Sequence, residues 1–245
     1  MDWRFGNQAR ATKDLDLAAR ETEAVAARDL QMARAADVGD YFRFDVRRTA
    51  VLDVLTEGSA VRYRVRAELA GRRFEEFVLD VGFSGLTHKP LDLLRGPEFF
   101  AFAGIPPAEA PTLPLDQHVA EKLHAYTRIY ADGTRSSRVK DLVDLVLIQS
   151  LASFKAGSLL AAIKRTFAER LNHGWPDSVP FPPDDWATAY ERMAVGIGVE
   201  HDLQSAYLLV AEFLDPVLAN AVSATAEWSP DTRAWKEPAD EESSG

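Results

Sequence analysis

Hydrophobic and polar positions alternate along the first hundred residues in a pattern that predicts several strands and one helix. Period-two alternation over KDLDLAA, YFRFDVRR, SAVRYRVRAELAG and RRFEEFVLDVGF is typical of β-strands. The intervening segment ETEAVAARDLQMARAADV combines alanines with charged residues, as helices do. The first part of the chain is therefore predicted to form an α+β or α/β layer.

Helical periodicity begins after a proline-rich connector. Residues 104–116 contain four prolines, which neither a helix interior nor a central strand accepts. Beyond it, the helical segments are DQHVAEKLHAYTRIY, RVKDLVDLVLIQSL, KAGSLLAAIKRTFAERL, WATAYERMAV and DLQSAYLLVAEFLDPVLANAV. The end of the chain is polar, acidic and interrupted by proline. We predict an α/β domain over residues 1–104, a connector over 105–116, a helical bundle over 117–226, and an acidic, flexible tail over 227–245.

Composition narrows the chemistry that this chain can perform. It has 245 residues and no cysteine, which excludes disulfides, thiolate metal sites and cysteine nucleophiles. A formal net charge of −10 argues against a protein that coats nucleic acid nonspecifically. The sequence contains neither a long apolar run nor a secretory signal, so we expect a cytoplasmic protein without a membrane partner.

A pair of aspartates lies in the first predicted strand. Asp14 and Asp16 are one residue apart, so a strand directs both carboxylates to the same face. Such close like charges repel unless a cation lies between them, and Mg²⁺ prefers oxygen ligands. The pair alone is also compatible with a capping or turn role, and both interpretations stay open at this point.

A third acid, Asp80, lies near the end of the strand segment FEEFVLDVGF. Alternation separates it from the apolar face formed by Phe77, Leu79 and Val81. Two-metal phosphoryl-transfer sites commonly take carboxylates from neighbouring strands. Asp80 is therefore a candidate metal ligand, with an aspartate that starts a turn as the alternative.

The helix RVKDLVDLVLIQSL places Asp141 and Asp144 one turn apart, opposite a broad apolar stripe. Their row continues into Ile148, so the aspartate face is predicted to be covered as well, by the other domain, with both aspartates facing a cleft. Buried carboxylates need cationic partners. The available cations are Lys122, Arg138 and Lys140. A purely structural salt-bridge network is the alternative to a functional cluster.

Alternating arginines mark one face of another predicted strand. Arg62, Arg64 and Arg66 alternate with Val61, Tyr63 and Val65, which makes one face basic. This pattern suits a solvated edge face and, as the alternative, a surface that contacts RNA.

Four sequence blocks, taken in order, resemble a known family. RATKDLDL, LDVGF, HVAEKLHAYTR and SRVKDLVDLVLI resemble the AbiEii-like nucleotidyltransferase toxins of bacterial type IV abortive-infection and toxin–antitoxin pairs. These toxins belong to the polymerase-β-like nucleotidyltransferase superfamily. The blocks are scattered between residue 4 and the region near residue 150, and the EKLHAY and RVKDLVDL pair is the specific part.

The resemblance implies an α+β fold: a small mixed sheet that carries an acidic triad, followed by a helical bundle. It also implies an enzyme that transfers a nucleoside monophosphate from an NTP to an acceptor and releases pyrophosphate. The acceptor would be RNA such as the tRNA 3′ end, and the cognate antitoxin would be the protein partner. The triad Asp14, Asp16 and Asp80 would bind two Mg²⁺ ions.

Further residue roles follow from the same resemblance. Lys122 matches the lysine that holds the nucleotide phosphates, and Asp141 matches the acid of the last motif; both join the triad as implied catalytic residues. The implied nucleotide-binding residues are Thr12, Lys122, Lys140 and Asp144. The candidates for guiding an RNA backbone are Arg62, Arg64, Arg66, Arg135 and Arg138.

One family feature does not occur in the sequence as given. The family pattern has a Gly-Gly strand-to-helix turn before the Arg-x-Thr segment, and Met1 follows where that turn would lie. We expect either a start codon assigned too far downstream or a truncation. The truncation would make the chain an inactive module that binds a nucleotide or an antitoxin, which is the alternative function.

Overall fold

Residues 1–9, 14–19, 22–54, 58–83, 91–99, 101–129, 137–170 and 173–238 are described by the structure, a computed structural model. The strands are β1 (Asp14–Ala18), β2 (Phe42–Val54), β3 (Gly58–Leu69), β4 (Arg72–Gly82), β5 (Asp92–Arg95), β6 (Glu109–Thr112), β7 (Phe154–Lys155), β8 (Glu227–Ser229) and β9 (Ala234–Lys236). The helices are α1 (Asp2–Phe5), α2 (Glu23–Ala35), α3 (Leu115–Thr127), α4 (Val139–Leu151), α5 (Ala156–Arg170), α6 (Ala187–Val195) and α7 (Leu203–Leu218). Every strand and helix predicted from the periodicity is present.

The chain forms two units. The sheet unit comprises Ala11–Lys89 and Glu98–Pro107, and the helical unit comprises Met1–Arg10, Pro90–Pro97 and Ala108–Gly245. This division differs from the predicted one, which had a single domain boundary at residue 104. The N-terminal segment joins the helical unit partly through Arg4, whose guanidinium donates to Asp92 at 2.7 Å and to the Leu113 carbonyl. Such long-range pairing has no signature in local periodicity.

The sheet unit contains a four-stranded mixed sheet in the order β1-β4-β3-β2. Strand β1 runs parallel to β4, and the other neighbours are antiparallel. Strands β3 and β4 are joined by the two-residue turn Ala70–Gly71, in which both residues have positive φ, as tight hairpins require. The predicted α+β class with a small mixed sheet is confirmed.

One face of this sheet forms the core of the sheet unit. Val61, Tyr63 and Val65 of β3 are buried together with Leu79 and Val81 of β4. Ala26 and Leu30 of α2 pack against them. Because side chains alternate along a strand, the residues between these core positions face the opposite side of the sheet.

The helical unit has its own larger core, to which helices α3 to α7 all contribute. Helix α4 is almost entirely buried, from Val139 to Gln149 with the single exception of half-buried Lys140. Helix α3 packs against both α4 and α5. The prediction of a helical C-terminal part is thus matched by the structure.

Two predicted irregular segments contain strands. Strand β6 lies inside the predicted connector and pairs with β5, and Pro111 is tolerated there because a two-stranded ladder has a free edge. The flexible tail predicted for residues 227–245 was wrong for residues 227–236, which form β8 and β9. Trp228 lies in the core and donates to the Gln149 carbonyl at 2.8 Å. Burial of Trp228 stabilises this segment as a strand, although its composition is polar.

Within the part of the chain described, no helix combines the length and apolar character needed to cross a bilayer.

Candidate active site

Three aspartates share the polar face of the sheet. Asp14 and Asp16 lie on β1, and the register sets Asp16 directly beside Asp80 of β4. Leu79 and Val81, the neighbours of Asp80 along β4, are buried in the core, so Asp80 points to the opposite face. Parallel pairing of β1 with β4 is therefore what brings the predicted triad onto adjacent strands.

Arg62 of β3 extends this row of charges. The register pairs Arg62 with Asp80, and the guanidinium donates to both carboxylate oxygens, from Nε at 2.8 Å and from Nη2 at 2.7 Å. These hydrogen bonds raise the pKa of Arg62, and the negative charges of Asp80, Asp14 and Asp16 raise it further while partial burial opposes them. Arg62 is thus a cation whose charge interacts with all three aspartates.

The other arginines of β3 face a different acid. The guanidinium groups of Arg64 and Arg66 lie 3.5 Å and 3.7 Å from the Glu76 carboxylate. Arg73 lies 3.5 Å from the same carboxylate. The basic stripe seen in the sequence is therefore partly neutralised by acids of β4.

The triad suits a divalent ion in chemistry and placement. All three donors are carboxylates, which Mg²⁺ prefers, and they lie on one face of neighbouring strands. Among the described residues, however, no three acid or histidine side chains are already gathered to hold one ion. Asp80 instead accepts hydrogen bonds from Arg62 on both carboxylate oxygens.

In the helical unit, Lys122 and Arg138 form an ionic network with two buried aspartates. The Lys122 ammonium on α3 lies 2.6 Å from Asp144 and 3.3 Å from Asp141, both on α4. Arg138, which precedes α4, donates from Nε to Asp141 at 2.5 Å. The side chains of Asp141 and Asp144 are 2% and 4% exposed. The predicted burial of both aspartates is confirmed, and of the three available cations Lys122 contacts both of them while Arg138 contacts Asp141.

Three other residues were predicted for the site: Lys140, Thr12 and Arg135. Lys140 is half-buried in the first turn of α4. Thr12 and Arg135 lie outside the described residues, so the structure does not locate them.

Two contacts were missed by reasoning from the sequence. Arg62 was predicted to guide RNA, and its contact with Asp80 was not foreseen. Glu76, which gathers three arginines, was not singled out. Strand register could have revealed both contacts, but register is set by the hairpin turn and its bulge rather than by the alternation within one strand.

A comparison with known protein families identifies the family of this chain. The family model described as nucleotidyl transferase AbiEii toxin, type IV toxin–antitoxin system, matches residues 1–226. The chain belongs to the AbiEii family. This AbiEii-family protein is therefore a nucleotidyltransferase and the toxin component of a type IV toxin–antitoxin system.

The fold of this AbiEii-family protein has a parallel among solved structures. MenT4, a nucleotidyltransferase toxin from Mycobacterium tuberculosis H37Rv, is similar with a TM-score of 0.54 and 19% sequence identity. The similarity covers 90% of this chain and 72% of that chain. At this identity the likeness shows a common fold. No curated protein matches the chain by sequence.

Family membership also defines the general partners of the AbiEii-family protein. A type IV toxin is paired with an antitoxin, and a nucleotidyltransferase takes a nucleoside triphosphate as substrate. The predicted family, enzyme class and fold are thereby confirmed.

Proposed function

We propose that this toxin transfers a nucleoside monophosphate from an NTP to an RNA acceptor such as the tRNA 3′ end, in a Mg²⁺-dependent reaction in the cytoplasm. The observation that carries the proposal is the row formed by Asp16 and Asp80 on neighbouring strands, with Asp14 on the same face. Neighbouring-strand carboxylates are the ligand set of two-metal phosphoryl transfer.

Asp14, Asp16 and Asp80 would hold two divalent ions. When bound, such ions activate the acceptor hydroxyl and neutralise the departing pyrophosphate. The carboxylates orient the ions because they project from paired strands, which limits their movement.

Lys122 would contact the triphosphate of the NTP. Its ammonium is held between Asp141 and Asp144, so its position is defined before substrate arrives. In this proposal Asp141 and Asp144 act through Lys122 by fixing the position of its ammonium group. Thr12 and Lys140 complete the proposed nucleotide-binding residues.

Arg64, Arg66, Arg135 and Arg138 are the proposed contacts to the RNA backbone. Arg64 is 64% exposed and Arg66 is 45% exposed, so their guanidinium groups can reach phosphates while they remain near Glu76. Arg62 differs from them because its Nε and Nη2 already donate to Asp80.

The test is label transfer from each α-³²P-labelled NTP to total tRNA, with Mg²⁺ or with EDTA. We expect Mg²⁺-dependent labelling with one or more NTPs, and a decrease of at least about a hundredfold in Asp14→Ala, the order of effect seen when a transition-state contact is removed. Asp29→Asn is the matched control, because Asp29 is an exposed acid of α2 paired with Arg28. Labelling that is absent with every NTP, or unchanged in Asp14→Ala, would reject the proposal.

A further inference from the structure

Asp80 is bound on both oxygens by an arginine of its own sheet. The two contacts of 2.8 Å and 2.7 Å occupy the oxygens that a metal ion would need. A guanidinium fork and a divalent cation draw on the same two carboxylate oxygens and repel each other as like charges, so the two compete. The inference below rests on the proposed metal role of Asp80.

Arg62 is placed to be displaced at low cost. Its side chain is 44% exposed, whereas that of Asp80 is 20% exposed. The guanidinium can therefore turn towards solvent and be rehydrated, while the carboxylate stays at its position on β4. A partly exposed ion pair is easier to replace than a buried one, because the released guanidinium regains its hydration, so a divalent ion can take its place.

The charge balance of the row also depends on Arg62. Asp16, Asp80 and Arg62 occupy successive positions across β1, β4 and β3. Without a cation, the carboxylates would repel one another across the sheet. Arg62 supplies such a cation at Asp80 when no metal ion is bound.

We propose that Arg62 is a positioning residue that competes with the divalent ion for Asp80: it holds this carboxylate in the metal-free protein, is displaced when the ion binds, and thereby lowers the metal affinity. Arg64 does not share this role. It lies on the same strand and face, but it contacts Glu76 at 3.5 Å through a single pair of atoms and does not contact Asp80.

The experiment measures Mn²⁺ binding to the full chain by titration, with free Mn²⁺ monitored by electron paramagnetic resonance. The proteins are wild type, Arg62→Gln, Arg64→Gln and Asp80→Asn, with circular dichroism to confirm folding. We expect Arg62→Gln to bind Mn²⁺ roughly fivefold more tightly, which corresponds to loss of an exposed ion pair. Arg64→Gln removes the same charge from the same strand. The Mn²⁺ affinity of this variant should change less than about twofold, because Arg64 contacts Glu76 rather than Asp80 and its effect on the ion is screened.

A second variant guards against a folding defect in Arg62→Gln. Arg62→Lys keeps the charge but replaces the rigid fork by a single ammonium, so its affinity should fall between wild type and Arg62→Gln. Affinity in Arg62→Gln and Arg62→Lys that is no tighter than in Arg64→Gln would overturn the inference.

Asp80→Asn separates this inference from the proposed function. Weaker Mn²⁺ binding in Asp80→Asn, together with unchanged binding in both Arg62 variants, would overturn only the competition by Arg62. Binding that is unaffected by Asp80→Asn would remove the metal role of Asp80 and overturn both proposals.

Discussion

At the level of single residues, Lys122 stabilises two nearly buried aspartates and is also the proposed phosphate-binding residue. Its ammonium neutralises Asp144 and shares Asp141 with Arg138 in a nearly dry part of the helical unit. Removing one partner of such a buried pair typically costs about 3–5 kcal/mol, because it leaves an uncompensated charge. A loss of activity in a Lys122 variant therefore has to be compared with its folding stability before it is assigned to phosphate binding.

Individual residues differed in how far their environment could be predicted. The burial of Asp141 and Asp144 followed from helical periodicity, since their row continues into an apolar residue. The pairing of Arg62 with Asp80 did not, because it depends on which residues of two strands lie opposite each other. A local sequence pattern shows which face of a helix or strand is apolar, but not which residues of another element lie opposite that face.

A buried histidine pair predicts how stability depends on pH. His124 is 1% exposed, and its ring lies 4.6 Å from that of His173. Burial, together with the nearby charges of His173, Arg170 and Arg128, lowers the pKa of His124 to about 3. The unfolded chain takes up this proton near the usual histidine pKa of about 6.5, so stability should fall as pH decreases from about 6.5 towards 3.

Substitution of His124 by phenylalanine tests this dependence. His124→Phe keeps a ring against Phe167 and removes one titrating group, so stability should fall less steeply across the same pH window. The measurement is urea denaturation of wild type and variant at pH 7.0, 5.5 and 4.5. His201→Phe, at an exposed position, is the control and should retain the wild-type slope. Equal slopes for wild type and His124→Phe would contradict the assignment.

At the level of elements, the start of α5 depends on a close backbone approach. Gly157 donates its N–H to the Ala224 carbonyl at 3.0 Å, and a Cβ added at Gly157 would lie only 2.9 Å from that oxygen and 3.1 Å from the Ala224 Cβ. Helix propensity alone favours alanine over glycine by about 1 kcal/mol. The steric clash should outweigh this gain, since the contacting atom belongs to the backbone.

Gly157→Ala should therefore destabilise the protein, by about 1–3 kcal/mol, the usual cost of overpacking. Guanidinium denaturation gives the free energy of unfolding. Gly174→Ala is the matched control, because nothing lies within 4 Å of a Cβ at that position, and it should change stability by less than about 0.5 kcal/mol. A Gly157→Ala variant as stable as wild type would show that the backbone segments at residues 157 and 224 can move apart without a loss of stability.

Elements with strong periodicity were predictable, and short paired strands were not. Helices α3 and α4 and strands β3 and β4 carry a clear apolar face, which their sequence displays. Strands β7, β8 and β9 have two or three residues each, too few to show a period. Their stability comes from tertiary packing, above all from Trp228 against Phe154 and Phe213.

At the level of the whole molecule, the two units have cores of different size. The sheet unit buries a small cluster around Val61, Val65 and Val81, whereas the helical unit buries an extended one. Because opening free energy grows with buried apolar surface, amides of the sheet unit should exchange with solvent faster.

Hydrogen exchange followed by mass spectrometry measures this difference. After correction for intrinsic rates, peptides from Val61–Leu69 should exchange faster than peptides from Leu142–Ile148 of α4. Peptides from α7, which contributes Phe213 and Leu214 to the larger core, should resemble those from α4. Equal protection in β3 and α4 would show that the two units unfold as one.

The sequence by itself determined the α+β class, the position of each periodic element and the candidate acids, because alternation and helical stripes follow from local backbone geometry. It also contained the blocks by which the family is recognised. The tertiary structure alone decided that residues 227–236 join a sheet, that Met1–Arg10 belongs to the helical unit, and that Arg62 binds Asp80. These outcomes depend on contacts between residues distant in the chain, which a local pattern cannot encode.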